Sequence, residues 1–266
     1  MSDTCVLFFV KYPEPGAVKT RLASVMGAEA AAAMYRHFVQ DMLAELVQVK
    51  ADLRICCDTG AVPRSAPVTP DEQVTPDEQG APDAQAALAA YKAWLGPQHA
   101  YLPQRGDDLG ARMRTALADA YAAGYERVVV LGSDIPDFPH ELAQKALDDL
   151  DLHDAVIGPA FDGGYYLIGF RRDRFLPGVF EGVEWSGTSV YAATMERLEA
   201  ARLDVVRLPE WNDVDTMWDL NVLYRTNRNS SFRRSSSYAA MREHDALIRQ
   251  YDMELPVWAR ETESAK

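Results

Sequence analysis

The chain has 266 residues, of which 48% are hydrophobic and 25% are charged, a composition typical of globular proteins and not of disordered or fibrous ones. Its 27 basic and 40 acidic residues give a formal net charge of −13, which argues against nonspecific binding to nucleic acid or to an anionic membrane. No apolar run is long enough to span a bilayer, and the N-terminus lacks the pattern of a secretory signal. The three cysteines, with Cys56 next to Cys57, form no even disulfide framework, so we expect free thiols and a cytoplasmic location.

In chain order, the predicted elements alternate between strands and helices. Short apolar runs such as 4–10 and 126–131 indicate strands buried on both faces, and apolar residues three or four positions apart indicate helices. The predicted order is strand 4–10, helix 28–50, strand 53–57, helix 107–123, strand 126–131, helix 141–150, strands 154–159 and 165–170, helix 188–201, strand 205–208 and helix 216–224. This alternation predicts an α/β fold with a mainly parallel sheet.

Two segments depart from the alternation. Segment 59–90 is acidic, rich in proline and alanine, and repeats the sequence VTPDEQ at 68–73 and 74–79, so we interpret it as an inserted loop lengthened by a duplication. Segment 225–266 begins with a basic, serine-rich stretch and continues into a predicted helix at 238–251. Docking of this basic tail on the acidic body, or on a second subunit of a homodimer, is one hypothesis, and a solvated linker is the other.

Three basic residues cluster in the turn that follows the first predicted strand. Lys11, Lys19 and Arg21 fall within eleven positions of an otherwise acidic chain. Because ligands of parallel α/β sheets bind beyond the carboxyl ends of the strands, this turn is a candidate phosphate-binding loop. Ordinary solvent-facing basic residues are the alternative. The P-loop pattern is excluded, because no glycine directly precedes Lys19.

Two aspartates are candidate metal ligands. Asp134 follows an apolar strand in the sequence VVVLGSD, and Asp215 ends the triplet Asp213-Val214-Asp215 just before a predicted helix. A carboxylate at the end of a buried strand is costly unless it is paired or bound to a cation, and hard oxygen ligands suit Mg²⁺ or Mn²⁺. We therefore expect Asp134 and Asp215 to converge on a divalent cation. Capping of the helices that follow is the alternative for both.

A glycine pair indicates either a tight turn or a ligand contact. Asp162, Gly163 and Gly164 separate two predicted strands, which is typical of a hairpin. Paired glycines also let the backbone approach a ligand closely, and Tyr165 or Tyr166 could then stack on, or hydrogen-bond to, a sugar or a base. We expect Trp185, which lies further along the chain, to line the same cleft, and we assign these residues to the acceptor site.

The predicted helix start near residue 107 is the last candidate. Gly106 followed by two aspartates is typical of a helix N-terminus, whose unpaired amides bind anions. Arg112 would lie about one turn into this helix, where it could help to bind phosphate; a solvent-facing arginine is the alternative. Ser133, which directly precedes Asp134, completes the candidate phosphate-binding residues.

Several of these segments, taken in order, resemble nucleotide-diphospho-sugar transferases of the GT-A type. More narrowly, they resemble an uncharacterised bacterial family labelled glycosyltransferase-like, and more loosely the 2-phospholactate and molybdenum-cofactor guanylyltransferases. The resemblance extends from near residue 5 to about residue 222 and is carried by FVKYPEPGAVKTRLA, QRGDDLGARM, VVVLGSDIPDF, VIGPAFDGGYYLIGF, VEWS and NDVDTMWDL.

The resemblance implies a Rossmann-like, three-layer α/β/α sandwich with a mostly parallel central sheet, forming one domain at 1–224. It also implies Mg²⁺ or Mn²⁺ at Asp134 and Asp215, and an acceptor site around 162–166. On this basis we assign catalytic roles to Asp134, Lys19 and Asp162, where Asp162 would orient the acceptor hydroxyl or act as a general base. The chain departs from the family pattern after Trp185-Ser186 and after Asp215-Thr216, where the family has Thr-Pro and Pro-Glu-Asp-Leu.

Three functions are compatible with such a site. The first is glycosyl transfer from a nucleotide sugar to a small-molecule acceptor. The second is nucleotidylyl transfer from an NTP to a phosphorylated acceptor, with release of pyrophosphate. The third is nucleotide binding by a catalytically degenerate protein. The two departures from the family pattern leave the acceptor open, and composition predicts neither a nucleic-acid nor a membrane partner.

Overall fold

The computed structural model describes residues 2–61, 81–185 and 187–251. Within these residues, seven strands form one sheet in the spatial order β3-β2-β1-β4-β6-β5-β7. Their bounds are β1 Thr4–Lys11, β2 Asp52–Asp58, β3 Ala100–Pro103, β4 Arg127–Leu131, β5 Ala155–Pro159, β6 Tyr165–Arg171 and β7 Val205–Arg207.

Helices connect most of the strands and cover both faces of the sheet. None of the described helices is long and apolar enough to cross a membrane. Their bounds are α1 Thr20–Met26, α2 Ala28–Leu46, α3 Ala81–Leu95, α4 Leu109–Ala122, α5 His140–Asp149, α6 Val190–Ala200, α7 Met217–Thr226, α8 Ser236–Glu243 and α9 Asp245–Ile248.

The sheet is mostly parallel, as the alternating pattern predicts. Strands β3, β2, β1 and β4 run parallel to one another, and β7 runs parallel to β5. Strand β6 is antiparallel to both of its neighbours, β4 and β5, because a tight turn joins it directly to β5. The predicted α/β sandwich is thus confirmed, with one reversed strand inside the sheet.

The core consists of two apolar layers, one on each face of the sheet. Successive side chains of a strand point to opposite faces, so Val6 and Phe8 of β1 belong to different layers from Cys5 and Leu7. Helices α4 and α6 cover the face of Cys5 and Leu7, and α1, α2, α3, α5, α7, α8 and α9 cover the other. This arrangement explains why β1 is apolar along almost its whole length.

Part of the predicted inserted loop is helical. Helix α3 begins at Ala81, so the prediction of a loop over 59–90 is wrong for 81–90, and both VTPDEQ copies lie outside the described residues. Ala87 and Tyr91 are buried on this helix, and the Tyr91 hydroxyl donates to the carbonyl oxygens of Val10 and Asp58. The alanine-rich composition that suggested a loop is also the composition with the highest helix propensity.

Other predicted elements differ in detail. The short strand β3 and the helix α1 were not predicted, and the predicted helix 28–50 ends at Leu46. The single helix predicted at 238–251 is divided into α8 and α9 at His244. Strand β3 has four residues and lies at the edge of the sheet, too short for a clear apolar pattern.

The described part of the C-terminal segment packs on its own chain. The carboxylate of Asp41 on α2 accepts hydrogen bonds from the backbone amides of Ser236 and Ser237 at the start of α8. Met241 and Ile248 are fully buried in the core. The alternative of a solvated linker over 224–241 is therefore wrong for 236–241, where Ser237, Tyr238 and Met241 are buried.

Candidate functional site

A cleft of about 690 Å³ opens beyond the carboxyl ends of β1, β2 and β4, beside the start of β6. Most of the residues that the sequence singled out line it. They are Lys11, Arg21, Arg112, Ser133, Asp134, Asp162, Gly164, Tyr165, Trp185 and Asp215. Lys19 is buried and contacts two of these residues, whereas Gly106 and Gly163 do not line the cleft.

The loop after β1 holds Lys19 in an unusual backbone conformation. Lys19 directly precedes α1 and has φ +47° and ψ +46°, in the left-handed region that residues other than glycine rarely adopt. Such strain persists only where the surroundings fix it, and it is concentrated at functional sites. The conformation directs the side chain of Lys19 inward, where only 3% of it is exposed.

The ammonium group of Lys19 lies between two carboxylates. Its Nζ forms an ion pair with Asp134 and lies 2.9 Å from Oδ1 of Asp215, and Arg21 approaches the other Asp215 oxygen at 3.9 Å. Burial alone would lower the pKa of Lys19, but the two carboxylates raise it well above its usual value. The residue therefore carries a positive charge, and the acidic pair that the sequence predicts has an internal counter-ion.

A third carboxylate, Asp213, faces the same acidic group. Burial, followed by the charges of Asp162, Asp215 and Asp134, raises the pKa of Asp213 to about 7. For Asp215, burial also acts to raise the pKa, but Lys19, together with more distant cations, holds it below its usual value. Neighbouring carboxyl groups of the same cluster thus have opposite pKa shifts.

The segment that carries these aspartates is fixed at both ends. The amide of Val214 donates to the carbonyl oxygen of Asp134 over 2.9 Å, which ties the segment to the end of β4. Thr216 is the N-cap of α7 and forms a capping box with Asp219. Because Thr216 caps the helix, the Asp215 side chain is left to face Lys19.

The donor set suits a hard divalent cation. Asp134, Asp213 and Asp215 supply carboxylate oxygens, the ligands that Mg²⁺ and Mn²⁺ favour. Asp213 is a half-buried acid among like charges, and a divalent cation would turn that repulsion into attraction. In the described residues, however, the ligand oxygens of these three aspartates do not all lie within 4.8 Å of one another, and Lys19 is paired with Asp134 and Asp215, so metal binding here stays a prediction.

In the described part of the chain, a grouping of possible metal ligands lies outside the cleft. Glu45, His140 and Glu141 bring their ligand atoms within 4.8 Å of one another. Both the backbone amide and Nδ1 of His140 contact the Glu45 carboxylate, at 3.2 and 2.8 Å. These contacts fix the start of α5 against α2, which explains the grouping without a metal ion.

Arg112 points toward the β2 side of the cleft. Its Nε donates to the carbonyl oxygen of Gly106 at 3.2 Å, and its Nη1 lies 3.1 Å from Oδ2 of Asp58, a residue that was not among the predicted site residues. Asp108 caps α4 by accepting from the Ala111 amide. An aspartate thus occupies the helix N-terminus and Gly106 accepts from Arg112, while the anion site at Gly106 stays a prediction.

The turn between β5 and β6 forms the opposite wall. Asp162 accepts a hydrogen bond from the Gly164 amide at 2.8 Å, and Gly163 has φ +91°. The Gly163 carbonyl accepts from the Tyr191 amide, and a Cβ at this position would collide with the backbone of Thr188. The glycine is thus needed for packing against Thr188, and its contact with an acceptor stays a prediction.

Aromatic side chains extend this wall. The rings of Tyr165 and Trp185 meet edge to face at 6.3 Å, and Trp185 stacks on Phe180 at 6.4 Å. The indole of Trp185 lies directly over Gly110 of α4. One side of the cleft is therefore apolar and aromatic, and the other is charged.

Tyr35 was not among the predicted site residues, but it lies behind the charged side of the cleft. Its hydroxyl is 2.7 Å from the Ser133 hydroxyl and 3.1 Å from the amide of Lys11, and its ring lies 5.8 Å from Nζ of Lys19. Tyr35 belongs to the apolar face of α2, where it is indistinguishable from a packing residue. Asp58 could have been found by the rule that selected Asp134, since it too ends a strand.

Comparison with known proteins places these features in a family. The family model described as an uncharacterized protein conserved in bacteria (DUF2064) matches residues 70–187. A crystal structure from Desulfovibrio desulfuricans G20, provisionally assigned as a nucleotide-diphospho-sugar transferase, is 57% identical, with a TM-score of 0.84; the match covers 96% of this chain and 100% of that one. No curated protein matches the chain.

A more distant structural similarity concerns the fold alone. A cytidylyltransferase from Leptospira borgpetersenii serovar Hardjo-bovis is 12% identical, with a TM-score of 0.52. The match covers 96% of this chain and 100% of that chain. The common architecture is the layered α/β sandwich described above.

Proposed function

The chain belongs to the bacterial family DUF2064, and from this premise we propose that it is a transferase acting on a nucleotide-activated sugar with Mg²⁺ or Mn²⁺. The assignment of the relative from Desulfovibrio desulfuricans G20 supports a nucleotide-diphospho-sugar substrate. The observation that carries the proposal is the meeting of basic and acidic side chains in one cleft, with Lys19 between Asp134 and Asp215.

The charged side of the cleft would bind the nucleotide diphosphate. Asp134 and Asp215 would hold the metal ion, with Asp213 beside them, and the bound ion would neutralise charge on the departing phosphate. Lys11 and Arg21 are exposed at the cleft and would contact phosphate oxygens, whereas Lys19, buried and paired with Asp134 and Asp215, would add its positive charge without direct contact. Catalysis in this arrangement is mainly positioning and electrostatic stabilisation of the leaving group.

The aromatic side of the cleft would bind the acceptor. Asp162 lines the cleft near the carboxyl group of Asp213, and it would orient the acceptor hydroxyl or remove its proton. Tyr165 and Trp185 provide flat surfaces of the kind on which a sugar ring packs. Gly164 leaves space beside Asp162 for the acceptor to approach.

A second candidate is nucleotidylyl transfer from an NTP to a phosphorylated acceptor. The cations of the first loop favour it, since a triphosphate carries more charge than the diphosphate of a nucleotide sugar and Arg21 is 74% exposed. Release of pyrophosphate from an NTP would distinguish this reaction from glycosyl transfer.

The thiols support a cytoplasmic location, which we also propose. Cys5, Cys56 and Cys57 are free and buried in β1 and β2. Burial raises the pKa of Cys5 to about 12, so this thiol is protonated and unreactive at neutral pH.

The test combines ligand screening with one variant. UDP, GDP, CTP and their sugar derivatives are screened by thermal shift with and without MnCl₂, because a ligand that binds the native state raises the melting temperature. With the substrate found, Asp134→Ala should lower turnover about 100-fold or more. Glu199→Ala, an exposed position on α6, is the control. Unchanged turnover in Asp134→Ala would refute the metal role, and metal-independent binding without turnover would indicate a degenerate nucleotide-binding protein.

A further inference from the structure

Tyr35 connects two strand ends on the charged side of the cleft. It lies on α2 with 1% of its surface exposed, and its hydroxyl contacts both the Lys11 amide at the end of β1 and the Ser133 hydroxyl just after β4. Strands β1 and β4 are adjacent and parallel, so Lys11 and Ser133 emerge side by side. A buried tyrosine thus fixes the two positions from which cleft residues extend.

The direction of each hydrogen bond follows from the donors available. The Lys11 amide can only donate, so the Tyr35 oxygen accepts from it. Burial raises the pKa of Tyr35, so the phenol keeps its proton and needs an acceptor for it. In the described chain, the Ser133 oxygen is the acceptor within reach, and a buried hydroxyl without one would be costly. Tyr35 therefore donates to Ser133.

This direction leaves the Ser133 proton for a ligand. Ser133 accepts from Tyr35, and among the described residues its hydroxyl has no second hydrogen-bond partner. Ser133 lines the cleft next to Asp134, although only 4% of it is exposed. Its remaining hydrogen-bonding capacity as a donor is thus available to an oxygen atom bound in the cleft.

We propose that Tyr35 is a positioning residue that makes Ser133 a hydrogen-bond donor to a phosphoryl oxygen of the bound nucleotide. The proposal rests on the proposed function, since it requires a phosphate group on the charged side of the cleft. Tyr35 itself contacts no substrate in this arrangement. It acts on the ligand through the orientation of the Ser133 hydroxyl.

The experiment is a double-mutant cycle on ligand affinity. The affinity for inorganic pyrophosphate in MgCl₂, and for the nucleotide found in the screen, is measured by calorimetry for wild type, Ser133→Ala, Tyr35→Phe and the double variant. Loss of a hydrogen bond to a charged group should weaken binding about tenfold in Ser133→Ala. Tyr35→Phe should weaken it severalfold, and the double variant should bind no more weakly than Ser133→Ala alone, because both changes remove the same contact.

The control is Tyr121→Phe, which removes another buried phenol hydroxyl. Tyr121 donates to the carbonyl oxygen of Phe170 at 2.9 Å on the other face of the sheet, so this change should leave both affinities unaltered. A purely structural role for Tyr35 would make its effect independent of the residue at 133. Equal weakening by Tyr35→Phe in both backgrounds, or no weakening, would overturn the proposal.

Two further outcomes separate this proposal from the proposed function. If Tyr35→Phe does not fold, Ser133→Thr, which keeps the hydroxyl, should retain affinity within about threefold while Ser133→Ala loses it; equal affinities would overturn the proposal. Failure of the wild type to bind pyrophosphate or any nucleotide would overturn both proposals. Normal wild-type binding with unaffected variants would overturn this one alone.

Discussion

Lys19 determines the electrostatics of the cleft through a single side chain. Its ammonium group is buried, whereas the side chains of its two partners, Asp134 and Asp215, are 47% and 40% exposed. The lysine is therefore the one member of this ion-pair group that is shielded from solvent. Its left-handed backbone shows that the fold accepts local strain to keep the charge in this place.

We expect Lys19→Met to destabilise the protein by about 2 kcal/mol, between the values typical of exposed and buried ion pairs. The change removes the counter-ion and leaves two like charges facing each other. The measurement is urea unfolding at pH 7 in EDTA. Lys145→Met, which breaks an exposed pair with Asp149 on α5, is the control and should cost less than about 0.5 kcal/mol. Equal losses of unfolding free energy in Lys19→Met and Lys145→Met would contradict a special stabilising role of the Lys19 charge.

The sequence could identify these residues but not every relation between them. Lys19, Asp134 and Asp215 were selected because strand ends and charge clusters are visible in sequence, and ligands bind at such ends. That the lysine would lie between the aspartates depends on a backbone conformation that no local pattern indicates. Tyr35 was missed because a tyrosine on an apolar helix face has the same pattern whether it packs or positions a ligand.

Helix α4 packs closely against the segment that carries Trp185, with Gly110 at the contact. A Cβ at Gly110 would lie 2.6 Å from the Phe180 carbonyl oxygen and would also overlap the Trp185 ring. The glycine thus lets the aromatic wall of the cleft rest directly on the start of the helix. The position of this wall depends on the absence of one side chain.

Gly110→Ala should therefore displace Trp185 and destabilise the protein by about 1–3 kcal/mol, as overpacking of a close contact does. It should also weaken acceptor binding, with nucleotide binding changed less. Gly178→Ala is the matched control, because a Cβ there meets nothing within 4 Å, and its effect should stay within about 0.5 kcal/mol. Denaturation curves and a crystal structure of the variant would measure both effects. An unmoved Trp185 would contradict this account.

Elements with strong apolar periodicity were predictable, and those without it were not. Strands β1, β4, β5 and β6 were expected close to their observed bounds because they are buried on both faces. Helix α3 was not predicted because its sequence continues the alanine- and proline-rich composition of the repeat segment. The reversal of β6 inside the sheet follows from the turn at 160–164, which was predicted as a hairpin.

The C-terminal helices are part of the same folded unit as the sheet. Asp41 of α2 caps α8, and the Tyr238 ring packs against Tyr224 at 5.0 Å. These contacts bury apolar surface on both partners. The C-terminal segment is therefore held to the rest of the fold by apolar packing as well as by hydrogen bonds. The net charge of the segment does not indicate this packing.

Met241→Ala should destabilise the whole protein by about 2–5 kcal/mol, the usual cost of truncating a buried methionine. The transition should remain single, and Met42→Ala on α2 should give a loss of the same size, because both side chains lie in one core. Glu243→Ala, an exposed position on α8, is the control and should stay within about 0.5 kcal/mol. Calorimetry that resolved two transitions would show that the C-terminal helices form a separate unit.

The antiparallel direction of β6 places the turn between β5 and β6 at the rim of the cleft. Because β6 starts beside the end of β4, the hairpin tip at 160–164 reaches the same rim as Asp134, although the two are far apart along the chain. Exposed side chains of this tip, such as Phe161 and Asp162, can therefore change without altering β1 or β4, whose ends carry the basic and acidic residues of the cleft. Under the proposed function, chimaeras that exchange this hairpin tip between relatives should change which acceptor is used and leave nucleotide binding unchanged.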